Sequence, residues 1–169
     1  MAKRLRPLTD TQPKCLLKVG ERTLLERTVD AQLAAGINEL VVVTGYRGGM
    51  IRDFLTNHYP TLTIHFIHNA DYEHNNNIFS LWMTRPYTDG KDFLLMDSDI
   101  LLDPKLVKTI VEQAGTALAL NRHECGEEEI KIIVDSEDRV VDTTNVFSIE
   151  LETVEDFERA KELIPAELY

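Results

Sequence analysis

Leu40-Val-Val-Val-Thr44 is a continuous apolar run closed by Gly45, the pattern of a parallel strand buried on both faces. Ahead of it, Leu24–Ala35 carries apolar residues at helical spacing, with Leu24, Leu25, Val29, Leu33 and Ala34 on one side and Gly36 as the cap. Gly36-Ile37-Asn38-Glu39 is then a short helix-to-strand connection. The rhythm repeats downstream. Met50–Tyr59 predicts a helix stopped by Pro60, Leu62–His68 a strand, and Asn76–Tyr87 a helix. Phe93–Met96 predicts a third strand and Pro104–Gln113 a helix opened by proline at its first turn. Thr116–Asn121 predicts another strand, and residues 129–134 and 139–142 a hairpin across Ser136-Glu137-Asp138. Val146–Leu151 and Val154–Leu163 close the chain as strand and helix.

Strand and helix alternate, so the predicted class is α/β, a mainly parallel sheet with helices on both faces. The 169 residues fit one domain. Hydrophobic residues make up 43% and charged residues 28%, enough to bury a core and too apolar for a disordered chain. No apolar run approaches the roughly 20 residues of a membrane span. The basic N-terminus has no apolar segment behind it, as a secretory signal would. Cys15 and Cys125 have no metal-like spacing, which fits a reduced, cytoplasmic protein.

Charge sharpens this picture. The chain carries −11, which speaks against a nucleic-acid partner held through phosphates. Yet Lys3, Arg4, Arg6, Lys14 and Lys18 face only Asp10 in the first twenty residues, a local +4 that leaves −15 for the remainder. A short basic segment on an acidic body suits a small anionic ligand at a focused site. Its Pro-Leu-Thr and Pro-Lys-Cys-Leu-Leu stretches have the composition of an ordered turn and core, unlike a basic tail.

Three further segments carry candidate chemistry. Asp97-Ser98-Asp99 follows the apolar run Phe93–Met96. Ligands of open α/β sheets gather at the carboxyl ends of strands, and two carboxylates one residue apart can share Mg²⁺ or simply cap the next turn. Asn69–Trp82 is dense in side-chain amides, which can read a base edge or fix a phosphate, or form a turn and a helix cap. Glu152-Thr-Val-Glu-Asp156 offers another carboxylate, or an N-cap at Thr153 with acids favouring the helix dipole. His65 and His68 stand three apart on a predicted strand and point to opposite faces, so no zinc site is predicted.

Read as wording, these segments resemble one family. Arg4-Leu-Arg-Pro-Leu-Thr through Pro13-Lys14 is similar to the second half of the signature loop of sugar-phosphate nucleotidyltransferases. Asn69-x-x-Tyr72 followed by Asn76-Asn77-x-x-Ser80-Leu81 resembles the choline-phosphate and related aminoalkyl-phosphate cytidylyltransferase branch. Val43-Thr-Gly-Tyr46 resembles the strand end that faces the base, and Ile149–Phe157 the closing strand-and-helix motif. The resemblance implies a Rossmann-like fold and transfer of a nucleotidyl group from an NTP, CTP favoured, to a phosphorylated acceptor such as phosphocholine. It implies Arg4 and Lys14 on the triphosphate, and Tyr46, Asn76, Asn77, Ser80 and Asp97 around the nucleotide. Asp99 and Glu152 fall at the family's Mg²⁺ positions, with glutamate in place of the usual aspartate. A sugar-1-phosphate transferase and an inactive nucleotide-binding or regulatory module are the alternative readings.

The match runs in two blocks. Residues 1–140 resemble the family's first part without its first strand and leading glycine, and residues 142–169 resemble its end. The long stretch that builds the acceptor pocket is missing near 140–145. On this reading, the 169 residues made alone are expected to be poorly soluble or partly ordered and to turn over no substrate.

Overall fold

The computed structural model describes residues 5–120 and 130–145, with backbone ladders in three two-stranded sheets. A 3-10 turn at Lys14–Leu16 leads into a small antiparallel ribbon, β1 (Lys18–Val19) and β2 (Arg22–Thr23). Then follow α1 (Leu24–Ala34), β3 (Glu39–Thr44), α2 (Gly48–His58) and β4 (Thr63–His68). The next helices are α3 (Asn77–Met83), α4 (Arg85–Thr88) and α5 (Pro104–Val111). A second antiparallel ribbon, β5 (Ile130–Val134) and β6 (Val140–Asn145), completes the described chain.

The α/β unit is β3-α2-β4. β3 and β4 pair in parallel, from Glu39↔Thr63 through Val42↔Phe66 to Thr44↔His68. Side chains alternate across a strand, and the two faces of this pair meet different helices. Leu40, Val42, Ile64 and Phe66 pack against a buried cluster that joins Cys15 and Leu16 to Leu25 and Val29 of α1 and Leu55 of α2. On the opposite face His65 stacks on Tyr87 of α4 with ring centroids 4.4 Å apart. Helices lie on both faces, yet the expected full burial of Leu40–Thr44 is not reached. Leu40–Val43 are half-buried and only Thr44 is buried, because a single parallel neighbour and short helices cover less than a complete sheet would.

Local chemistry fixes the helix ends. The Thr23 hydroxyl accepts from the Glu26 amide at 3.0 Å while the Glu26 carboxylate accepts from the Thr23 amide, a complete capping box. Asp103 caps α5 ahead of Pro104, accepting from the Lys105 amide at 2.9 Å. At the far end of α1 the C-cap is Ala35, and Gly36 just past it takes φ +86°, the left-handed turn that ends the helix. The Tyr59 hydroxyl donates to Asp30 at 2.8 Å, tying the end of α2 to α1, and Arg22 pairs with Glu26 and Asp30 beside it. Burial, then Asp30, hold the Tyr59 phenol above its ordinary range.

Several expectations need correction. Phe93–Met96 and Thr116–Leu120 are not strands: they belong to no ladder among the described residues. A strand is defined by its neighbour's hydrogen bonds, and apolar composition alone supplies none. Phe93 and Leu95 are exposed, as are Leu118 and Leu120. The segment nevertheless touches the fold, since the Gln32 amide donates to Met96 Sδ at 3.4 Å. Asn76–Tyr87 is two helices, because Pro86 has no N–H to continue the ladder and the chain breaks at buried Thr84. Leu33 and Ala34 face outward, while Thr28 and Ala31 complete the buried stripe of α1. Beside the parallel pair, the described residues hold two antiparallel ribbons. The hairpin forms as expected, with Asp138 at φ 57° and the Asp135 carboxylate accepting from the Glu137 and Arg139 amides. Asn121, the strand at Val146–Leu151 and the helix at Val154–Leu163 lie outside the described residues.

Two measurements check this packing. A Cβ on Gly45 would lie 2.4 Å from Cγ of Tyr72, so Gly45→Ala should lower stability by about 1–3 kcal/mol in thermal or urea melts. Gly45→Ala should cost less on top of Tyr72→Gly, which removes both the ring and the Cβ that the new methyl would meet, than it does alone; no loss in the single variant would mean the turn is not this tight. The second concerns Cys15, which is buried, its thiol pushed up to about 11 by burial above all. At pH 8 its thiolate should be on the order of a hundredfold scarcer than that of an ordinary cysteine. Iodoacetamide should therefore spare Cys15 in the native protein and modify it in urea, read by peptide mass spectrometry. Rapid native labelling would place the thiol at the surface.

Candidate active site

The basic loop is part of the core. Leu5 and Leu17 are buried with Val19 and Leu24, and Leu8 and Leu101 pack on that cluster. Cys15 and Leu16 belong to the neighbouring cluster under β3 and β4. Between these anchors the backbone makes tight turns, with the Leu8 amide on the Leu5 carbonyl at 2.9 Å and the Asp10 amide on the Pro7 carbonyl at 3.1 Å. Lys14 is thus presented by a seated loop. Arg4 lies outside the described residues.

Lys14 meets the residues predicted to hold a metal. Its Nζ stands 2.9 Å from Oδ2 of Asp99, with the lysine side chain 12% exposed and the aspartate 32%. Ser98 and Asp99 both act on the neighbouring Cys15 thiol, Ser98 lowering and Asp99 raising its pKa, so the loop and the Asp97–Asp99 segment lie side by side. The Asp97 carboxyl is raised above its usual value, first by partial desolvation, next by the charge of Asp99, against the opposing pull of Lys14. By surface area Asp97 is nonetheless exposed, so the desolvation is one-sided and the carboxylate remains open to a ligand. Two carboxylates that repel each other, beside one ammonium, form a charge-dense corner.

The carboxyl ends of β3 and β4 are joined next to each other. The Asn69 amide donates to the Thr44 carbonyl at 2.8 Å. Asn69 itself is buried, and its side-chain amide donates to Asn75 Oδ1 at 2.8 Å and to Ser80 Oγ at 3.2 Å. Asn75 returns a bond to Asn69 Oδ1 at 3.0 Å. Ser80 is therefore held from α3 toward the strand ends. Asn76 takes the capping role: its side chain accepts from the Phe79 amide at 3.2 Å. Asn77 is the exposed first residue of α3. The Tyr46 hydroxyl points to the basic loop, 3.1 Å from the carbonyls of Thr9 and Asp10.

Sequence reasoning passed over Asn69 as an organiser and Arg47 altogether. The first polar residue after a strand was the available signal for Asn69. Nothing in the one-dimensional pattern marks Arg47. Glu152 lies outside the described residues. A shallow depression of about 400 Å³ on the other side of α3, lined by Ile78, Trp82, Arg85, Lys91 and Phe93 among others, includes none of the predicted site residues. The charge-dense corner at Lys14, Asp97 and Asp99 is the candidate site.

Comparison with known proteins bears on this corner. The chain is 26% identical over 137 residues to the CTP:phosphoglutamine cytidylyltransferase of Campylobacter jejuni, covering 78% of this chain and 48% of that protein. It is 25% identical over 143 residues to the choline-phosphate cytidylyltransferase of Streptococcus pneumoniae, covering 83% of this chain and 59% of that one. The solved CTP:phosphocholine cytidylyltransferase from Streptococcus pneumoniae superimposes with a TM-score of 0.58 at 22% identity, over 84% of this chain and 59% of that structure. The chain thus spans about half the length of these relatives, and its α/β architecture is the Rossmann-like nucleotidyltransferase fold. Residues 1–139 match the MobA-like NTP transferase domain, and the chain belongs to that family.

Proposed function

We propose that this chain carries the nucleotide site of a cytidylyltransferase, which joins CTP to a small phosphorylated acceptor and releases pyrophosphate. The observation that carries the reading is the contact of Lys14 with Asp99. A loop cation and the Asp99 carboxylate at 2.9 Å neutralise each other, and a triphosphate with its metal offers each a better partner. The names of the relatives, both CTP-dependent, favour cytosine and a phosphorylated amine or amide as acceptor.

In this reaction an oxygen of the acceptor phosphate attacks the α-phosphorus of CTP. The α–β bridge then breaks and its electron pair leaves with pyrophosphate. The protein must hold two anions together and neutralise developing charge. Lys14, pinned by the seated loop, would bind the triphosphate, with Arg4 as the second cation. Ser80, fixed by Asn69, with Asn76, Asn77 and Tyr46, would border the nucleoside.

Mg²⁺ fits the donor set, since it takes one or two carboxylates and fills its shell with water and phosphates. The mutual repulsion of Asp97 and Asp99 is the kind of strain a dication relieves. Asp99 would be the main ligand, with Asp97 secondary and Glu152 a further candidate. Bound there, the ion would supply Lewis-acid neutralisation of the reacting phosphates. No helix among the described residues is long and apolar enough to cross a membrane. A cytoplasmic setting, where CTP is at hand, is part of the proposal.

Calorimetry with CTP and Mg²⁺ tests the charge assignments. Lys14→Ala should weaken binding by about 1.5–3 kcal/mol, the scale of a charge-assisted hydrogen bond. Asp99→Asn should abolish the Mg²⁺-dependent part of binding and leave metal-free CTP affinity intact, because Lys14 is released. If Asp97→Asn does this damage and Asp99→Asn is silent, the roles of the two are reversed. Unchanged affinity in both Lys14→Ala and Arg4→Ala would end the triphosphate assignment.

Base preference is a separate question, answered by competition among CTP, UTP, GTP and ATP. CTP should win. A preference for a purine would reduce Asn76 and Asn77 to helix-capping residues.

A further inference from the structure

Arg47 occupies an unusual place in the turn after β3. It takes φ 49° and ψ 37°, the left-handed region that disfavours a side-chain-bearing residue, although Gly45, Gly48 and Gly49 stand around it. The turn is closed by the Gly48 amide on the Gly45 carbonyl at 3.2 Å. It is also crowded, because a Cβ on Gly48 would lie 2.7 Å from the Thr44 hydroxyl. The Arg47 side chain is exposed and contributes nothing to either buried cluster. A strained backbone holding an exposed arginine calls for a role at the guanidinium.

The guanidinium lies across the basic loop. Its Nε–H donates to the Tyr46 hydroxyl at 3.0 Å, and an Nη2–H donates to the Asp10 carbonyl at 3.1 Å. The Tyr46 hydroxyl, polarised by that bond, hands its own proton to the carbonyls of Thr9 and Asp10. The Asp10 carboxylate meanwhile pairs with Arg6 at 3.1 Å. The loop is thus held at three places: Leu5 in the core, Thr9–Asp10 under Tyr46 and Arg47, and Lys14 on Asp99. The middle hold rests on the exposed Arg47 and the half-buried Tyr46.

We propose that Arg47 is a positioning residue, clasping the loop 5–14 through Tyr46 and the Asp10 carbonyl so that Lys14 meets the triphosphate from a fixed backbone. The role in nucleotide binding rests on the cytidylyltransferase reading; the clasp itself does not. A glycine at position 47 removes the clasp and also the backbone strain. A merely structural arginine would lower the melting temperature when replaced. A positioning arginine leaves it level or higher and loses affinity.

The experiment uses Arg47→Gly, Arg47→Lys and Tyr46→Phe in the full chain, with two readouts. Without ligand, hydrogen exchange of a peptide covering residues 5–16 should be several-fold faster in Arg47→Gly, and elsewhere unchanged. With CTP and Mg²⁺, Arg47→Gly should bind about tenfold more weakly at equal or higher melting temperature. Arg47→Lys, keeping one donor, should fall between. Arg47→Gly should cost less on top of Tyr46→Phe than alone, since the two share the Asp10 carbonyl. Wild-type exchange in residues 5–16 of Arg47→Gly overturns the clasp. Faster exchange with unchanged CTP affinity overturns its role in binding. If the unaltered chain binds no nucleotide, the cytidylyltransferase reading falls, and the exchange result alone decides the clasp.

Discussion

The site depends on one ion pair, Lys14 against Asp99 at 2.9 Å, with the lysine almost wholly enclosed. An ammonium taken this far out of water is costly to leave alone. The protein meets that cost by bringing the end of the 92–99 segment against the basic loop, where Asp99 pairs with Lys14. The pair therefore acts as the hinge between two parts of the chain that share no ladder. It also leaves Asp97 beside a second carboxylate, which only a further cation neutralises.

The loop can bear that role because it is built as core. Leu5 and Leu17 sit in one buried cluster, Cys15 and Leu16 in the next, and the second cluster continues into Leu40, Val42, Ile64 and Phe66 of the parallel strands. Burial on the order of 1.5–3 kcal/mol per large apolar side chain outweighs what surface charges could supply. Lys14 is thus placed by hydrophobic packing of the loop around it, and its charge is met by Asp99. The same logic holds at Asn69, whose buried amide organises Asn75 and Ser80 by hydrogen bonds that water cannot replace.

Much of the fold was legible in the sequence, and the gaps have a common cause. α1, β3, α2 and β4 fall within a residue or two of their predicted bounds, because each has a clear apolar pattern, and Gly36, Gly45 and Pro60 punctuate the chain between them. Phe93–Met96 and Thr116–Leu120 have the composition of strands but no ladder among the described residues. Apolar content records the wish to be buried; the partner that would make a strand is not written in the segment. The split of α3 from α4 was written there, in Pro86, and is read from a missing donor.

The sequence by itself determined the class of element at most positions, the basic loop, the carboxylate pair at Asp97 and Asp99 and the family these segments resemble. These are local properties, carried by spacing, charge and wording within a few residues. Tertiary structure alone decided which groups meet. It set Lys14 on Asp99, turned the Tyr46 hydroxyl onto the loop carbonyls, gave Asn76 to a helix cap, and put Asn69 at the centre of an amide network. It also put a strained arginine where no pattern announced one. Contacts between distant segments follow from how two buried clusters close around each other, and that closure is a property of the packed chain.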